Sequence, residues 1–314
     1  MARLSTTSPR EGFGLLQICL AGVLWGTGGL GVQVIRDEVP MSVLTISAWR
    51  MAIAAVVLVV VLLLLRQLPT LVTLARAHPG RVVLVGCGTA AYQALYFGSV
   101  VAVGVSVSTV VSLGLAPVLL TVAESVRHRT TPARSQVLVL VVALTGLVLV
   151  SLAAGSHEPG PQPTLGVLMA AASGATYAAT TAYGRTLAQR TGPLTLTTAT
   201  TTVGAVALLP AALLAGGVTT PFGEPVVAGT LLYLGVFTMA IAYGLLYAGL
   251  RTTPGSAAVI ATLVEPVTAA LFAAVLLDER LGAAGIVGTA LILLAVAGLG
   301  RKPAATTGVV SPAP

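Results

Sequence analysis

Charged residues are scarce in this chain. They make up 8% of its 314 residues, whereas 56% are hydrophobic. A soluble domain carries about 25% charged residues. With so few charges, a soluble fold would leave a large apolar surface in water, which excludes a soluble globular protein. We therefore expect an all-α integral membrane protein for which lipid is the main solvent.

Cysteine and histidine are also rare, which limits the possible chemistry. Cys19 and Cys87 lie within apolar segments, so a disulfide framework is excluded. His78, His128 and His157 fall in predicted loops, which leaves no His/Cys metal cluster. The chain has no H-E-x-x-H motif, no paired intramembrane aspartates, no phosphate-binding loop and no loop long enough for a soluble domain. We expect neither an enzyme nor a cofactor.

The net charge of +7 does not indicate a nucleic acid partner, because the basic residues form no stripe or cluster with aromatic residues. They lie singly between long apolar runs. This distribution is typical of residues that orient transmembrane helices.

Ten apolar runs are long enough to cross a bilayer, since about 20 mostly apolar residues suffice. The predicted spans are 13–35, 42–65, 81–101, 104–126, 135–153, 165–187, 193–215, 225–249, 255–277 and 282–300. The first is interpreted as a retained helix that follows a cytoplasmic segment, 1–12. The tail, 301–314, is rich in Pro, Ala and Thr and is predicted to be disordered and cytoplasmic.

The basic residues also predict the orientation of the chain. With the N-terminus inside, most of them are cytoplasmic: Arg3, Arg10, Arg66, Arg76, Arg81, Arg127, Arg129, Arg134, Arg185, Arg190, Arg251, Arg301 and Lys302. Arg36 and Arg280 fall outside, and Arg50 lies within a helix. The bias predicts a multi-pass protein of a prokaryotic inner (plasma) membrane with both termini cytoplasmic.

The two halves of the chain resemble each other. Matching positions are Gly14 with Gly166 and Trp25 with Tyr177, each 152 residues apart, Tyr92 with Tyr243, 151 apart, and Pro117 with Pro266, 149 apart. We expect a first five-helix repeat at 13–153, an outer linker at 154–164 and a second repeat at 165–300. Because five is an odd number, the second repeat enters the membrane from the opposite side. Inverted repeats are typical of carriers that work by alternating access.

Several motifs point to one known family. They are Trp25-Gly26, Ala48-Trp49-Arg50, the run from Leu263 through Glu265-Pro266 to Val267, and Leu276-Leu277-Asp278-Glu279-Arg280-Leu281. In this order the chain resembles the EamA family of the drug/metabolite transporter superfamily. The resemblance implies ten helices around a central cavity and small organic solutes, often exported. The first repeat departs from the pattern, because Ala116 stands where the second repeat has its acid.

Glu265 is the foremost candidate for a transport role. Its carboxylate lies near the predicted bilayer midplane, which costs about 2.5–3.5 kcal/mol and requires a wet cavity, a partner or a proton. Pro266 lacks an N–H, so we expect the carbonyl of Thr262 to lose its helical partner and to form a polar site beside the acid. The structural alternative is a protonated or hydrogen-bonded glutamate that only joins helices.

Arg50 lies in the outer half of the predicted second helix. It could hold a substrate carboxylate or pair with Glu265. Equally, its guanidinium could extend to the outer interface or cap carbonyls of neighbouring helices.

Four tyrosines form two pairs at i, i+4 spacing: Tyr92 with Tyr96, and Tyr243 with Tyr247. Each pair shares one helix face, and the pairs could flank one cavity. Ordinary packing or an interfacial belt is the alternative. Gln93 beside the first pair could bond the substrate or a neighbouring helix.

Other polar or aromatic residues have weaker claims. Trp25 with Gly26 is interpreted as helix packing, with a gating role as the alternative. The acid Glu124 is expected to be satisfied by its basic neighbours. Helix 7 carries hydroxyls that we expect to bond to their own helix: Thr195, Thr197, Thr198, Thr200, Thr201 and Thr202.

Together these observations predict a secondary transporter, with a small metabolite such as an amino acid as cargo. Export and coupling to protons are the favoured mode, and the protein would act in lipid as a monomer or homodimer. A passive channel-like facilitator and a non-transporting membrane scaffold are the alternatives. The sequence does not identify the solute.

Overall fold

The computed structural model describes residues 9–153, 162–214, 223–276 and 282–300, and within these ranges it contains helices and no strands. The helices are α1 (Pro9–Gly26), α2 (Gly28–Glu38), α3 (Val43–Leu64), α4 (Leu68–Ala77), α5 (Pro79–Val103), α6 (Val105–His128), α7 (Arg134–Ala153), α8 (Pro163–Ala188), α9 (Pro193–Leu214), α10 (Pro225–Tyr233), α11 (Ala242–Gly249), α12 (Gly255–Ala261), α13 (Val264–Leu276) and α14 (Ala283–Leu299). A π-helical segment, Leu234–Ile241, joins α10 to α11. Asp278, Glu279 and Arg280 lie outside the described residues.

Eight described stretches are long and apolar enough to cross a membrane: Gly12–Glu38, Val43–Leu64, Pro79–Val103, Val105–His128, Arg134–Ala153, Pro193–Leu214, Pro225–Gly249 and Gly255–Val275. Helix α14 is apolar but shorter, and α8, with 26 residues, is not among the eight. The predicted total of ten spans is therefore not confirmed by length and composition.

The bundle has two chemically different ends. Three contacts bring chain turns together at one of them: the hydroxyls of Thr70 and Thr195 lie 2.9 Å apart, Arg185 Nε donates to the Thr253 carbonyl at 2.9 Å, and Ser256 binds Glu124. We call this the basic end, because the helix termini and turns there carry Arg66, Arg76, Arg81, Arg127, Arg129, Arg134, Arg190 and Arg251. The opposite end carries Arg36, Asp37, Glu38 and Glu224. Its assignment to the outside of the cell stays a prediction.

Helix packing follows the two-repeat layout. The contact of α5 with α8 has its counterpart in that of α11 with α1, and the contact of α6 with α8 corresponds to those of α12 and α13 with α1. Helices α3 and α7 of the first half pack on α9 and α14, their own counterparts in the second. Such an exchange of contacts is what a twofold relation between the halves requires. Opposite insertion of the halves depends on the number of spans and stays a prediction.

Glycines permit the closest helix crossings. A Cβ atom on Gly146 would lie 2.7 Å from the Gly288 carbonyl oxygen, and one on Gly288 would lie 2.7 Å from the Gly146 oxygen, where α7 crosses α14. Gly166 of α8 likewise faces Val103 at the end of α5. Helix α8 therefore runs the length of the bundle, from Val103 at the opposite end to the Arg185 contact at the basic end.

The structure differs from the sequence-based expectations in three elements. The first predicted span is broken at Thr27, between α1 and α2, and the ninth at Thr262 and Leu263, between α12 and α13. Their repeat counterparts α8 and α6 are continuous, although α6 contains Pro117. Helix α4 lies in a connection that was expected to be a loop. Its ten residues are too few to cross a bilayer, so it is not a further span.

Candidate functional site

A cavity of about 530 Å³ lies between the two halves. It reaches the opposite end, since its lining includes residues at helix termini there: Arg36, Val43, Val105, Ala153 and Gly285. Its deepest residues are Tyr92, Tyr177 and Tyr243, which also line a second, much smaller cavity of about 10 Å³ toward the basic end. The larger volume is within the range of small-molecule sites, about 300–1,000 Å³.

Most sequence-predicted site residues line this large cavity: Trp25, Arg50, Tyr92, Gln93, Tyr96, Tyr243, Glu265 and Pro266. Thr262 and Tyr247 do not. Thr262 is buried; its hydroxyl lies 3.1 Å from that of Tyr177 and 2.9 Å from the Val259 carbonyl oxygen. Tyr177 was missed as a site residue, although its match to Trp25 across the repeat was a usable signal.

Glu265 is positioned by the helix break beside it. Its N–H donates to the carbonyl of Thr262 at 2.9 Å, so this carbonyl is not free, and the expectation of a free carbonyl there was wrong. The chain instead tightens to i→i+3 bonding before Pro266, which satisfies the group that the proline leaves without a donor. Glu265 is the second residue of α13, where the helix dipole favours a carboxylate.

Helix α1 packs directly against this break. A Cβ atom on Gly22 would lie 3.3 Å from the Thr262 carbonyl oxygen, and one on Gly26 would lie 2.7 Å from that of Glu265. The absence of side chains at these glycines lets α1 approach the backbone beside the acid. The repeat counterpart of Gly22 is Gly174, which faces the carbonyl of Ser112 in the same manner. Both halves thus use a glycine at the equivalent crossing.

Arg50 is held by Gln93. Its Nη2 donates to the Gln93 Oε1 at 2.9 Å, while Gln93 Nε2 lies 3.3 Å from the sulfur of Met51. Arg50 Nε is buried without a hydrogen-bond partner. Among the described residues, which include both side chains, no ion pair joins Arg50 to Glu265. A guanidinium and a carboxyl group therefore line one cavity without being paired with each other.

Four aromatic residues, Trp25, Tyr92, Tyr177 and Tyr243, form what we call the aromatic layer. Trp25 meets Tyr243 edge-on with ring centroids 5.2 Å apart, and Tyr92 stacks on Tyr177 at 5.0 Å. The two contacts are equivalent across the repeat. Trp25 Nε1 also donates to the Thr238 carbonyl at 2.8 Å, within the π-helical segment, whose wider turn changes how backbone carbonyls are paired.

The layer contains one member of each tyrosine pair, Tyr92 and Tyr243, and it lies between the other two, Tyr96 and Tyr247. Tyr96 lies on the large-cavity side, where its hydroxyl is 2.8 Å from that of Thr109. Tyr247 lines the small cavity. The prediction that all four tyrosines flank one cavity was therefore wrong for Tyr247. Tyr96 and Tyr247 are equivalent across the repeat but lie toward opposite ends of the bundle, so the shared spacing of the two pairs does not place all four rings in one cavity.

Toward the basic end, polar contacts join the halves. Glu124 of α6 accepts hydrogen bonds from the Ser256 N–H, at 3.2 Å, and from its hydroxyl at the start of α12. The expectation that Glu124 pairs with its basic neighbours was thus wrong, because its partner is Ser256. In α9, Thr197, Thr198 and Thr200 donate to carbonyls of their own helix at 2.7–2.9 Å, as expected. The expectation was wrong for Thr195, whose hydroxyl pairs with that of Thr70, and for Thr202, whose hydroxyl is buried without a partner.

With the cavity described, comparison with known proteins decides the family. A family model described as the EamA-like transporter family matches residues 12–152 and again residues 164–301. The chain belongs to this family. The match confirms the resemblance seen in the sequence motifs, and with its apolar helices this EamA-like protein is a multi-pass membrane transporter.

Two relatives are similar to this chain in sequence, and one solved structure is similar to it in fold. The EamA-like chain is 29% identical over 290 residues to the uncharacterized transporter YwfM of Bacillus subtilis (strain 168), covering 92% of this chain and 94% of that protein. An uncharacterized transporter of Archaeoglobus fulgidus is 27% identical over 192 residues, or 61% and 67% of the two chains. A protein of known crystal structure has the same fold, with a TM-score of 0.77, 20% identity and coverage of 91% and 95%.

Proposed function

We propose that this EamA-like transporter is a secondary carrier that exports an amino acid or similar small organic solute by alternating access, with a proton as the coupling ion. One observation carries the proposal. A cavity of about 530 Å³ reaches one end of the bundle, and the aromatic layer lies between it and the small cavity toward the other end. This arrangement suits a carrier that exposes its site to one side at a time.

The groups in the cavity suit a zwitterion with an apolar part. Arg50 presents a guanidinium whose Nε has no protein partner, and a carboxylate is a suitable acceptor for it. Glu265 offers a carboxylate to an ammonium group or a proton. Tyr92 and Tyr243 offer ring faces to apolar or cationic groups. A carboxyl group within a membrane is also a suitable site at which proton release is linked to solute binding.

Reconstitution into liposomes tests this function. Flux of a panel of amino acids, amines, sugars and nucleosides is measured with and without an imposed pH gradient. We expect flux of at least one zwitterionic solute to respond to the gradient, and Glu265→Gln to remove that response. Glu224→Gln is the matched control, because Glu224 is exposed and does not line the cavity.

The possible outcomes separate the alternatives. Flux that is the same in Glu265→Gln and the unmodified protein contradicts proton coupling through this residue. Discrete single-channel conductance indicates a channel-like facilitator instead. No flux of any solute contradicts transport of these classes.

A further inference from the structure

The small cavity beneath the aromatic layer has a distinctive lining. Besides the three tyrosines of the layer, it is formed by Thr89, Thr180, Thr181, Leu246 and Tyr247, all of them buried. Its volume of about 10 Å³ is close to the space that one water molecule needs. The hydroxyl of Thr181 is buried without a hydrogen-bond partner. A buried hydroxyl without a protein partner is costly, so Thr181 offers a hydrogen-bonding group to a molecule that enters this cavity.

The repeat relates the small cavity to the deep part of the large one. Applying the same offset of 151–152 residues pairs Tyr247 with Tyr96, Tyr177 with Trp25, Tyr243 with Tyr92, Thr180 with Gly28 and Thr181 with Gly29. Every one of these first-half residues lines the large cavity. Leu95 and Ala240, the counterparts of Leu246 and Thr89, do not line it. Most of the small-cavity lining therefore has its equivalent in the large cavity, contracted in one position and expanded in the other.

We propose that the small cavity is the contracted basic-end half of the solute pathway, and that Thr89, Thr180, Thr181 and Tyr247 form a hydroxyl-lined binding surface when that end opens. The proposal rests on the proposed function and deepens it. It assigns the solute-contacting residues of a second conformation, none of which lines the large cavity.

The two surfaces differ in chemistry. The deep part of the large cavity has Gly28 and Gly29, with Arg50 and Gln93 close by. The small cavity has threonines in place of the glycines, and all its lining residues are uncharged. A solute that enters from the basic end would therefore contact neutral hydroxyl donors and acceptors in a narrower space. This surface selects for a solute with hydrogen-bonding groups rather than for charge alone.

The polar contacts at the basic end account for its contracted state. Glu124 of the first half binds Ser256 at the start of α12, and Arg185 of α8 binds the Thr253 carbonyl just before α12. The start of α12 is therefore held by both α6 and α8 at this end. The position equivalent to Ser256 in the first half is Ser106, and that equivalent to Glu124 is Ala273, 149 residues on. Both line the large cavity. Alanine cannot accept a hydrogen bond through its side chain, so Ala273 cannot bind Ser106 through its side chain as Glu124 binds Ser256.

Thiol labelling tests the pathway without a solute. Cys19 and Cys87 are replaced by alanine, and single cysteines are introduced as Thr181→Cys or Gly29→Cys. A Cβ atom at Gly29 meets nothing within 4 Å, so the second variant fits without strain. A membrane-impermeant maleimide is then applied to inside-out and right-side-out vesicles. Ser47→Cys is the control for general loosening, because Ser47 is buried but lines neither cavity.

We expect Thr181→Cys and Gly29→Cys to react from opposite sides of the membrane. Adding Glu124→Ala should raise the Thr181→Cys labelling rate by about tenfold and lower that of Gly29→Cys, because a charged hydrogen-bond acceptor that favours the contracted basic end is lost. Ser47→Cys should stay unreactive throughout.

Three results are decisive. If Thr181→Cys is inert from the basic-end side in both backgrounds while Gly29→Cys reacts, the pathway assignment is wrong. If both cysteines react from the same side, the claim that the two cavities open toward opposite sides of the membrane is wrong. Labelling as expected in a protein that moves no solute supports the pathway and contradicts the proposed transport, so the two failures are distinguishable.

Discussion

The contact between α1 and the Glu265 backbone predicts a strong response to one methyl group. Gly26 lies where a Cβ atom would come within 2.5 Å of the Thr268 Cβ and 2.7 Å of the Glu265 carbonyl oxygen. Ordinary contacts of such atoms are about 3.5–4.0 Å. In Gly26→Ala, α1 must therefore move away from α13 by roughly 1 Å, or α13 must move.

The magnitude follows from packing and propensity. Overpacking of this kind costs about 1–3 kcal/mol. Alanine favours a helix over glycine by about 1 kcal/mol, so a net destabilisation in Gly26→Ala comes from the contact and not from the backbone. Gly29→Ala is the matched control: the chemical change is the same, but its Cβ meets nothing within 4 Å. We expect the control to be as stable as the unmodified protein or more stable.

Thermal unfolding of purified protein in detergent measures the difference, with tryptophan fluorescence as the signal. We expect the Tm of Gly26→Ala to fall by several degrees relative to Gly29→Ala. Solute flux in liposomes should fall as well, since the backbone next to Glu265 is displaced. If the two variants have equal Tm values and equal flux, the close packing of α1 against the helix break is refuted.

Three further changes test other contacts. Trp25→Phe removes the indole bond to the Thr238 carbonyl, and we expect a loss of about 1 kcal/mol in detergent unfolding with the ring contact to Tyr243 retained. Gln93→Leu leaves the Arg50 guanidinium without its amide partner; we expect solute KM to change by more than kcat, whereas an unchanged KM would show that Arg50 orientation does not matter to binding. Arg50→Gln should abolish flux of solutes with a carboxylate and leave unchanged the flux of solutes that lack one. Comparing the flux of one solute as its acid with that of its amide derivative measures this difference.

Much of the fold could be predicted from residue chemistry. The scarcity of charge required lipid, and the distribution of arginines matches the two ends of the bundle. The repeat offset paired Trp25 with Tyr177 and Tyr92 with Tyr243, and these four residues form the aromatic layer. Pro266 was expected to disturb the helical hydrogen bonding at Thr262, and the ninth span is interrupted at that residue.

Other features depend on geometry that spacing does not encode. An i, i+4 pair shares a helix face, but its depth relative to a neighbouring layer decides which cavity each member lines, as for Tyr247. A proline removes one donor, but the preceding turn can tighten to use another, as at Thr262. The partner of Glu124 comes from a segment 132 residues away, which local charge cannot reveal.

Two spans are broken while their repeat counterparts are not, and this asymmetry affects the rates of transport in the two directions. Breaks occur in the α1–α2 and α12–α13 spans, which touch each other, whereas their counterparts α8 and α6 are continuous helices. If the halves exchange shapes, α8 and α6 must bend while the first pair straightens. Ala178, Thr180 and Thr181 of α8 stand where the first span has Gly26, Gly28 and Gly29 around its break, so the two breaks differ in free energy. The empty protein then rests facing one side, and forward and reverse exchange should proceed at different rates under mirrored gradients.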